Sequence, residues 1–188
     1  MTFALTKFAG IALAGAALAG CAAIEEAQLS TEQNIGLCPN AFVLSDAARM
    51  VDFVGEPAID TVAWSAEITD VRTSCRYVGD RPIEASVEID FAVGRGPAAD
   101  TQEKAVPYFV AVTRRNLDLI AKEEFSAPVK INRELGIATV TQSIDQIVIP
   151  RADEGTSGAN FEIAVGFSLT RDQVLYNRSG SSLKFPEL

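Results

Sequence analysis

The chain of 188 residues contains no histidine. This absence removes Ser-His-Asp and Cys-His catalytic arrangements and the commonest ligand of zinc and copper. Cysteine is scarce, with only Cys21, Cys38 and Cys75. Basic side chains are outnumbered, 16 Lys and Arg against 25 Asp and Glu, for a net charge of −9. Nucleic acid is excluded as a partner, because its phosphates are bound by Lys and Arg. Docking on an anionic leaflet by charge alone is disfavoured for the same reason. Ser126 to Lys130 and Ser182 to Lys184 lack the Ser-x-x-Lys spacing. Asp145 and Asp153-Glu154-Gly155 lack the ligand spacing of an EF-hand. No internal repeat, no second domain and almost no amphipathic helix is evident. The expectation is a protein with no cofactor, no metal and no catalytic activity.

What is present begins at the N-terminus. Lys7 is followed by sixteen consecutive apolar or glycine residues, Phe8 to Ala23. A basic start, an apolar core and small residues at its end form a secretory signal. The run is short of the ~20 residues that span a bilayer as a helix. Its end, Leu18-Ala19-Gly20-Cys21, resembles the lipobox of bacterial lipoproteins, in which the cysteine is lipidated and becomes the mature N-terminus. The resemblance implies several acyl chains on Cys21, where a single chain would hold only marginally. Ala22, in place of an Asp, implies the outer membrane by the sorting rule known for some such bacteria. Lys7 is the only charged side chain of residues 1–20, so their removal takes the net charge from −9 to −10. The lipid is then the evident means of membrane attachment.

Residues 21–37 read as a lipidated flexible tether, and residues 38–188 as one domain long enough to bury a core. With Cys21 acylated, Cys38 and Cys75 remain as an even pair in an oxidising compartment, and a disulfide between them is expected.

The domain reads as strands. Ala41–Leu44 is a short one, and Ser45-Asp46 is placed to cap a brief helical turn through Asp52. From Thr61 to Val78 the apolar residues alternate, first on Val62, Trp64, Ala66 and Ile68, then on Val71, Cys75 and Tyr77. A slip of phase near Thr69-Asp70 predicts a bulge. After a turn at 78–82, Ile83, Ala85, Val87, Ile89, Phe91 and Val93 face one way and Glu84, Ser86, Glu88 and Asp90 the other. That alternation predicts one buried and one wet face, paired antiparallel to 61–78. Gly94-Arg95-Gly96-Pro97 breaks the strand, and 98–105 reads as a loop. Strands follow at Tyr108–Thr113, at Leu117–Ile131 after a turn at Arg114-Arg115-Asn116, and at Ile137–Ile149. After a loop at 151–159 comes the last strand, 161–169, and then a short helix, 171–177, capped by Thr170.

About seven or eight strands joined by tight turns give an all-β fold, an antiparallel Ig-like or fibronectin-III-like sandwich, with a small barrel as the alternative. Cys38-Pro39, Ser45-Asp46-Ala47, Ser74-Cys75-Arg76-Tyr77, Arg95-Gly96-Pro97, Tyr108–Val112 and Val165–Thr170 together resemble a family of uncharacterised alphaproteobacterial lipoproteins. This resemblance implies fold and location and brings no activity with it.

Three groups of residues are candidates for chemistry or binding. Arg95, between two glycines, and Arg114-Arg115, at a hairpin tip, are candidate contacts to a carboxylate or phosphate. Glu88 and Asp90 lie two residues apart on one strand face, and two acids at a suitable separation could serve a carboxylate-dependent hydrolase, although a solvated sheet face explains them as well. Trp64, Tyr108 and Phe109 read as core aromatics, with an exposed aromatic patch as the alternative. The leading expectation is a lipid-anchored periplasmic envelope protein, a non-catalytic binding or assembly module with an envelope partner. The alternative is a small-ligand or glycan-binding module using the loops 94–107 and 151–160 at one end of the sandwich, and the hydrolase is a second alternative.

Overall fold

The computed structural model describes residues 36–132 and 136–181. They form eight strands: β1 (Asn40–Val43), β2 (Arg49–Phe53), β3 (Val62–Arg76), β4 (Ile83–Arg95), β5 (Glu103–Arg114), β6 (Leu119–Lys130), β7 (Ile137–Ile149) and β8 (Phe161–Phe167). One helix, α1 (Arg171–Arg178), follows. The strands make two four-stranded sheets, in the orders β1-β8-β5-β6 and β2-β3-β4-β7. All pairs are antiparallel except β1 with β8. The fold is the eight-stranded β-sandwich that the alternation predicts. Cys21 and residues 22–35 lie outside the described residues.

The core follows from period-2 alternation. Ile83, Ala85, Val87, Ile89, Phe91 and Val93 are all buried, and Trp64, Ala66 and Ile68 join them from β3. Val106, Tyr108, Val110 and Val112 of β5 and Phe161, Ile163, Val165 and Phe167 of β8 meet them from the other sheet. At the centre the Phe91 ring lies 5.1 Å from Tyr108 and 5.6 Å from Phe167, and Tyr108 stacks on Phe125 at 5.4 Å. Aromatic pairs at such spacing contribute about 0.5–1.5 kcal/mol each beyond their buried area. The register of β3 on β4 shifts between Ile68 and Asp70, the bulge expected from the slip of phase. Thr170 and Gln173 form a reciprocal capping box on α1, which begins where the sequence places it.

Local signals misjudge two segments. Residues 45–52 are not a helical turn, because only Ser45–Ala47 forms a 3₁₀ turn and Arg49–Phe53 pairs with β3. Burying Met50 and Val51 against the core outweighs the cap signal of Ser45-Asp46. The strand expected from Tyr108 begins five residues earlier, at Glu103. Pro107 interrupts the pattern but costs no ladder bond, because it sits just past the end of β8, where its carbonyl accepts from Ser168 N–H at 3.0 Å. Pro128 is tolerated for a different reason, since β6 is an edge strand. Gly96 is required by close approach, because its N–H donates to Ala63 O at 2.8 Å and a Cβ would fall 2.1 Å from Val62 O.

Cys38 and Cys75 form a disulfide with Cα atoms 5.6 Å apart, spanning 37 residues. It joins the segment leading into β1 of one sheet to β3 of the other. Replacing both cysteines by alanine is expected to lower unfolding stability by about 4 kcal/mol, the loop-closure value for this span. Urea denaturation of the oxidised protein and the Cys38→Ala/Cys75→Ala variant checks this, with an unchanged midpoint as the contrary result.

Candidate functional site

Strand register decides which loops can share a site. Ile83 lies opposite Ile149, whereas Gly94 lies opposite Ile137. The loop after β4 and the loop after β7 are therefore at opposite ends of the sandwich. The expectation that 94–107 and 151–160 form one site is corrected, because a single antiparallel pairing separates them by the length of β4.

At the β4–β5 end, Arg95 is used internally. Its Nε donates to Thr101 O at 2.7 Å and one Nη to Ala99 O at 2.5 Å. The guanidinium braces its own loop across the turn that Gly96 permits, and so it is not placed as a ligand contact.

The opposite end is built differently. Arg114, Arg115 and Asn116 sit on the β5–β6 hairpin tip beside the β7–β8 loop, and together they border a concavity of about 490 Å³. Its wall also carries Ile120, Thr156, Asn160 and the buried Phe161. Among the described residues neither Arg114 nor Arg115 has an ion-pair or side-chain hydrogen-bond partner. Of the two loops expected to bind a ligand, only 151–160 meets these arginines.

The tip is a hydrogen-bonded β-turn closed by a left-handed residue. Leu117 N–H donates to Arg114 O at 2.8 Å, and Arg114 N–H to Asp118 O at 2.9 Å. Leu117 has φ of 66°, a conformation that hairpins of this kind usually give to glycine or asparagine. Its side chain is exposed. The Asn116 side chain fastens the turn through Asp118, at 2.7 Å.

The same end holds the start of the domain. Tyr77 is buried, its hydroxyl donates to Leu37 O at 2.9 Å, and it accepts from Gly158 N–H at 3.1 Å. The Arg151 guanidinium covers the Tyr77 ring at 5.0 Å and donates to the carbonyls of Gly79, Asp153 and Glu154. Asn40 and Thr113 both lie opposite Glu162, so the incoming chain and the hairpin tip leave the same end two strand spacings apart, about 10 Å.

Glu88 and Asp90 point outward from β4 and share Arg72, at 3.4 Å and 2.7 Å. Arg72 also meets Asp70, and Thr141 donates to Asp90 at 2.6 Å. Arg72 and then Thr141 hold the Asp90 carboxyl below the usual carboxylate range, while Asp90 and Asp70 raise the guanidinium. A hydrolytic general acid needs the reverse, a carboxyl raised by its surroundings. This cluster stabilises charge on a sheet face.

Trp64 and Tyr108 are core, as expected, and burial pushes the Tyr108 phenol up. Phe109 differs, because it lies on the outer face under the Lys122 ammonium at 4.6 Å. Asp153 accepts from Thr156 at 3.0 Å, and no cluster of metal-ligating side chains occurs among the described residues. Reading the residues alone misses Leu117, Ile120 and Tyr77 as parts of one end. The available signal is a leucine between Asn116 and Asp118, an apolar side chain in a polar turn.

No family model and no curated protein matches the chain. Among solved structures, the variable (V) domain of the Streptococcus agalactiae AgI/II polypeptide BspA is similar over 67% of this chain and 75% of its own length. The identity is 11% and the TM-score 0.16, a likeness that carries no argument about fold or function.

Two outcomes are expected. Leu117→Gly raises stability by about 1 kcal/mol in urea denaturation, since a left-handed L-residue costs roughly 1–2 kcal/mol that glycine avoids in part. Asp90 has a lowered folded-state pKa, so its stabilisation is present above the unfolded value near 4 and is lost as pH falls through the lowered value. Asp90→Asn is therefore expected to flatten the decline of the denaturation midpoint below about pH 4.

Proposed function

We propose that the chain is a lipid-anchored envelope protein whose β-sandwich is a non-catalytic binding or assembly module. In this reading Cys21 is acylated, residues 21–37 are the tether, and the domain faces the periplasm from the outer membrane. The observation that supports it most directly is the Cys38–Cys75 bridge. It leaves Cys21 as the one cysteine outside a disulfide and fits a compartment that oxidises thiols. No helix among the described residues is long and apolar enough to cross a membrane.

The binding surface that the geometry favours is the end carrying Arg114 and Arg115. A second reading, a small-ligand or glycan-binding module, draws on the same concavity and specifies an anionic ligand, because two guanidiniums unpaired among the described residues border it. In that case Arg114→Ala/Arg115→Ala would abolish binding of an acidic sugar in calorimetry, and Arg95→Ala would leave it unchanged.

The anchor is tested by mass spectrometry and fractionation. The natural chain is expected at a mass lacking residues 1–20 and carrying acyl chains, in the membrane fraction. Cys21→Ser is expected to lose the acyl mass and the membrane association together. A natural chain recovered without acylation would overturn the reading.

A further inference from the structure

The hairpin tip is unusual in what it exposes. Leu117, Leu119 and Ile120 are 63, 64 and 38% exposed within four consecutive residues, and Leu37, where the chain enters, is 75% exposed at the same end. Leu117 is held in the left-handed region, a conformation that costs an L-residue and that glycine would adopt freely. Among the described residues its side chain belongs neither to the hydrophobic core nor to the residues packed against it. A costly conformation that projects an unused apolar side chain into solvent marks a site selected for contact rather than for stability.

The geometry points to a membrane-contact element: Leu117 and Leu119 enter the acyl boundary of a phospholipid bilayer while Arg114 and Arg115 meet lipid phosphates. This rests on the anchored reading above, because the bilayer is the surface to which that tether leads. Three observations select phospholipid as the occupant. The tip leaves the same end as the incoming chain, about 10 Å away by strand register. Cys21 and Gly36 are separated by at most about 50 Å of extended chain, so an anchored domain can bring this end to the surface. Two arginines without a side-chain partner among the described residues adjoin the leucines, and arginine stems lie along apolar surface while their heads stay at the phosphate level. The one carboxylate in the turn, Asp118, is engaged by Asn116. Net charge rules out docking by charge alone, and a few apolar side chains hold weakly by themselves. A tethered domain needs no more, because the tether supplies an effective concentration in the millimolar range.

The test uses the full-length chain, whose native Trp64 is buried and serves as a constant background. Leu117→Trp and Ile59→Trp are compared, the latter on an exposed turn at the opposite end of the sandwich. The acylated forms are reconstituted into vesicles of phosphatidylcholine and phosphatidylglycerol with brominated acyl chains. Emission from Leu117→Trp is expected to fall at least twofold against unbrominated vesicles, with Ile59→Trp unchanged. Protein that floats with the vesicles while Leu117→Trp remains unquenched would sustain the anchor and overturn the tip contact, as would a tip covered instead by an envelope protein. The same two substitutions in Cys21→Ser, titrated with lipid, read the tip without the anchor. Quenching of Leu117→Trp that saturates with lipid supports the contact even if acylation fails, and none at lipid concentrations carried past the tether's millimolar effective concentration refutes it. In Cys21→Ser, each Arg→Glu change at 114 or 115 is expected to weaken the lipid dependence at least about fivefold.

Discussion

The Cys38–Cys75 bridge links the segment before β1 to β3, and so it staples one sheet to the other outside the hydrophobic core. Around it the Tyr77 hydroxyl holds Leu37 on one side and Gly158 on the other, under the Arg151 guanidinium. Three segments distant in sequence are brought together in this way: the incoming chain, the end of β3 with the turn at Gly79, and the β7–β8 loop. A Cβ on Gly158 would lie 2.4 Å from Leu37 O, so the approach is as close as backbone allows. The position of β1 beside β8, the only parallel pairing among the described residues, depends on the chain being delivered at this point.

Much of the sandwich is legible in the sequence because a half-buried strand writes its faces into a period of two. The six inward residues of β4 and the phase slip at Thr69-Asp70 are both readable without any knowledge of partners. The edge strand β2 is not, since Ser-Asp-Ala-Ala signals a helix start and only pairing with β3 overrides it. The start of β5 is hidden by Pro107, whose tolerance depends on where β8 stops. The site is less legible still. Whether two loops share an end is a property of register, so Gly-Arg-Gly-Pro and the β7–β8 loop look equivalent in the sequence but are a strand length apart. Likewise Leu117 gives no hint of its left-handed backbone, which glycine or asparagine would have signalled.

Charge is distributed according to role. On the outer face of the β2-β3-β4-β7 sheet, acidic side chains are matched by arginines across strands, Arg49 with Glu67 at 2.8 Å and Arg72 with Glu88 and Asp90, while Asp70 meets Arg72 from the same strand. Cross-strand pairs of this kind stabilise the register modestly and keep the face soluble. Arg95 satisfies loop carbonyls. Arg114 and Arg115 stand apart because their side chains pair with no other part of the described residues, and the exposed Leu117 and Leu119 lie beside them in the chain.

The exposed margin of β6 has a further consequence. Between Ala121 and Lys130 it carries Lys122, Glu123 and Glu124, with Pro128 in place of a residue able to donate a ladder bond. Molecules restricted to two dimensions collide at high local density in similar orientations, the condition under which open sheet margins join into fibres. A proline and a run of charge at that margin disfavour such joining, so if the chain is anchored as proposed, crowding at a surface would raise the number of copies without fusing their sheets.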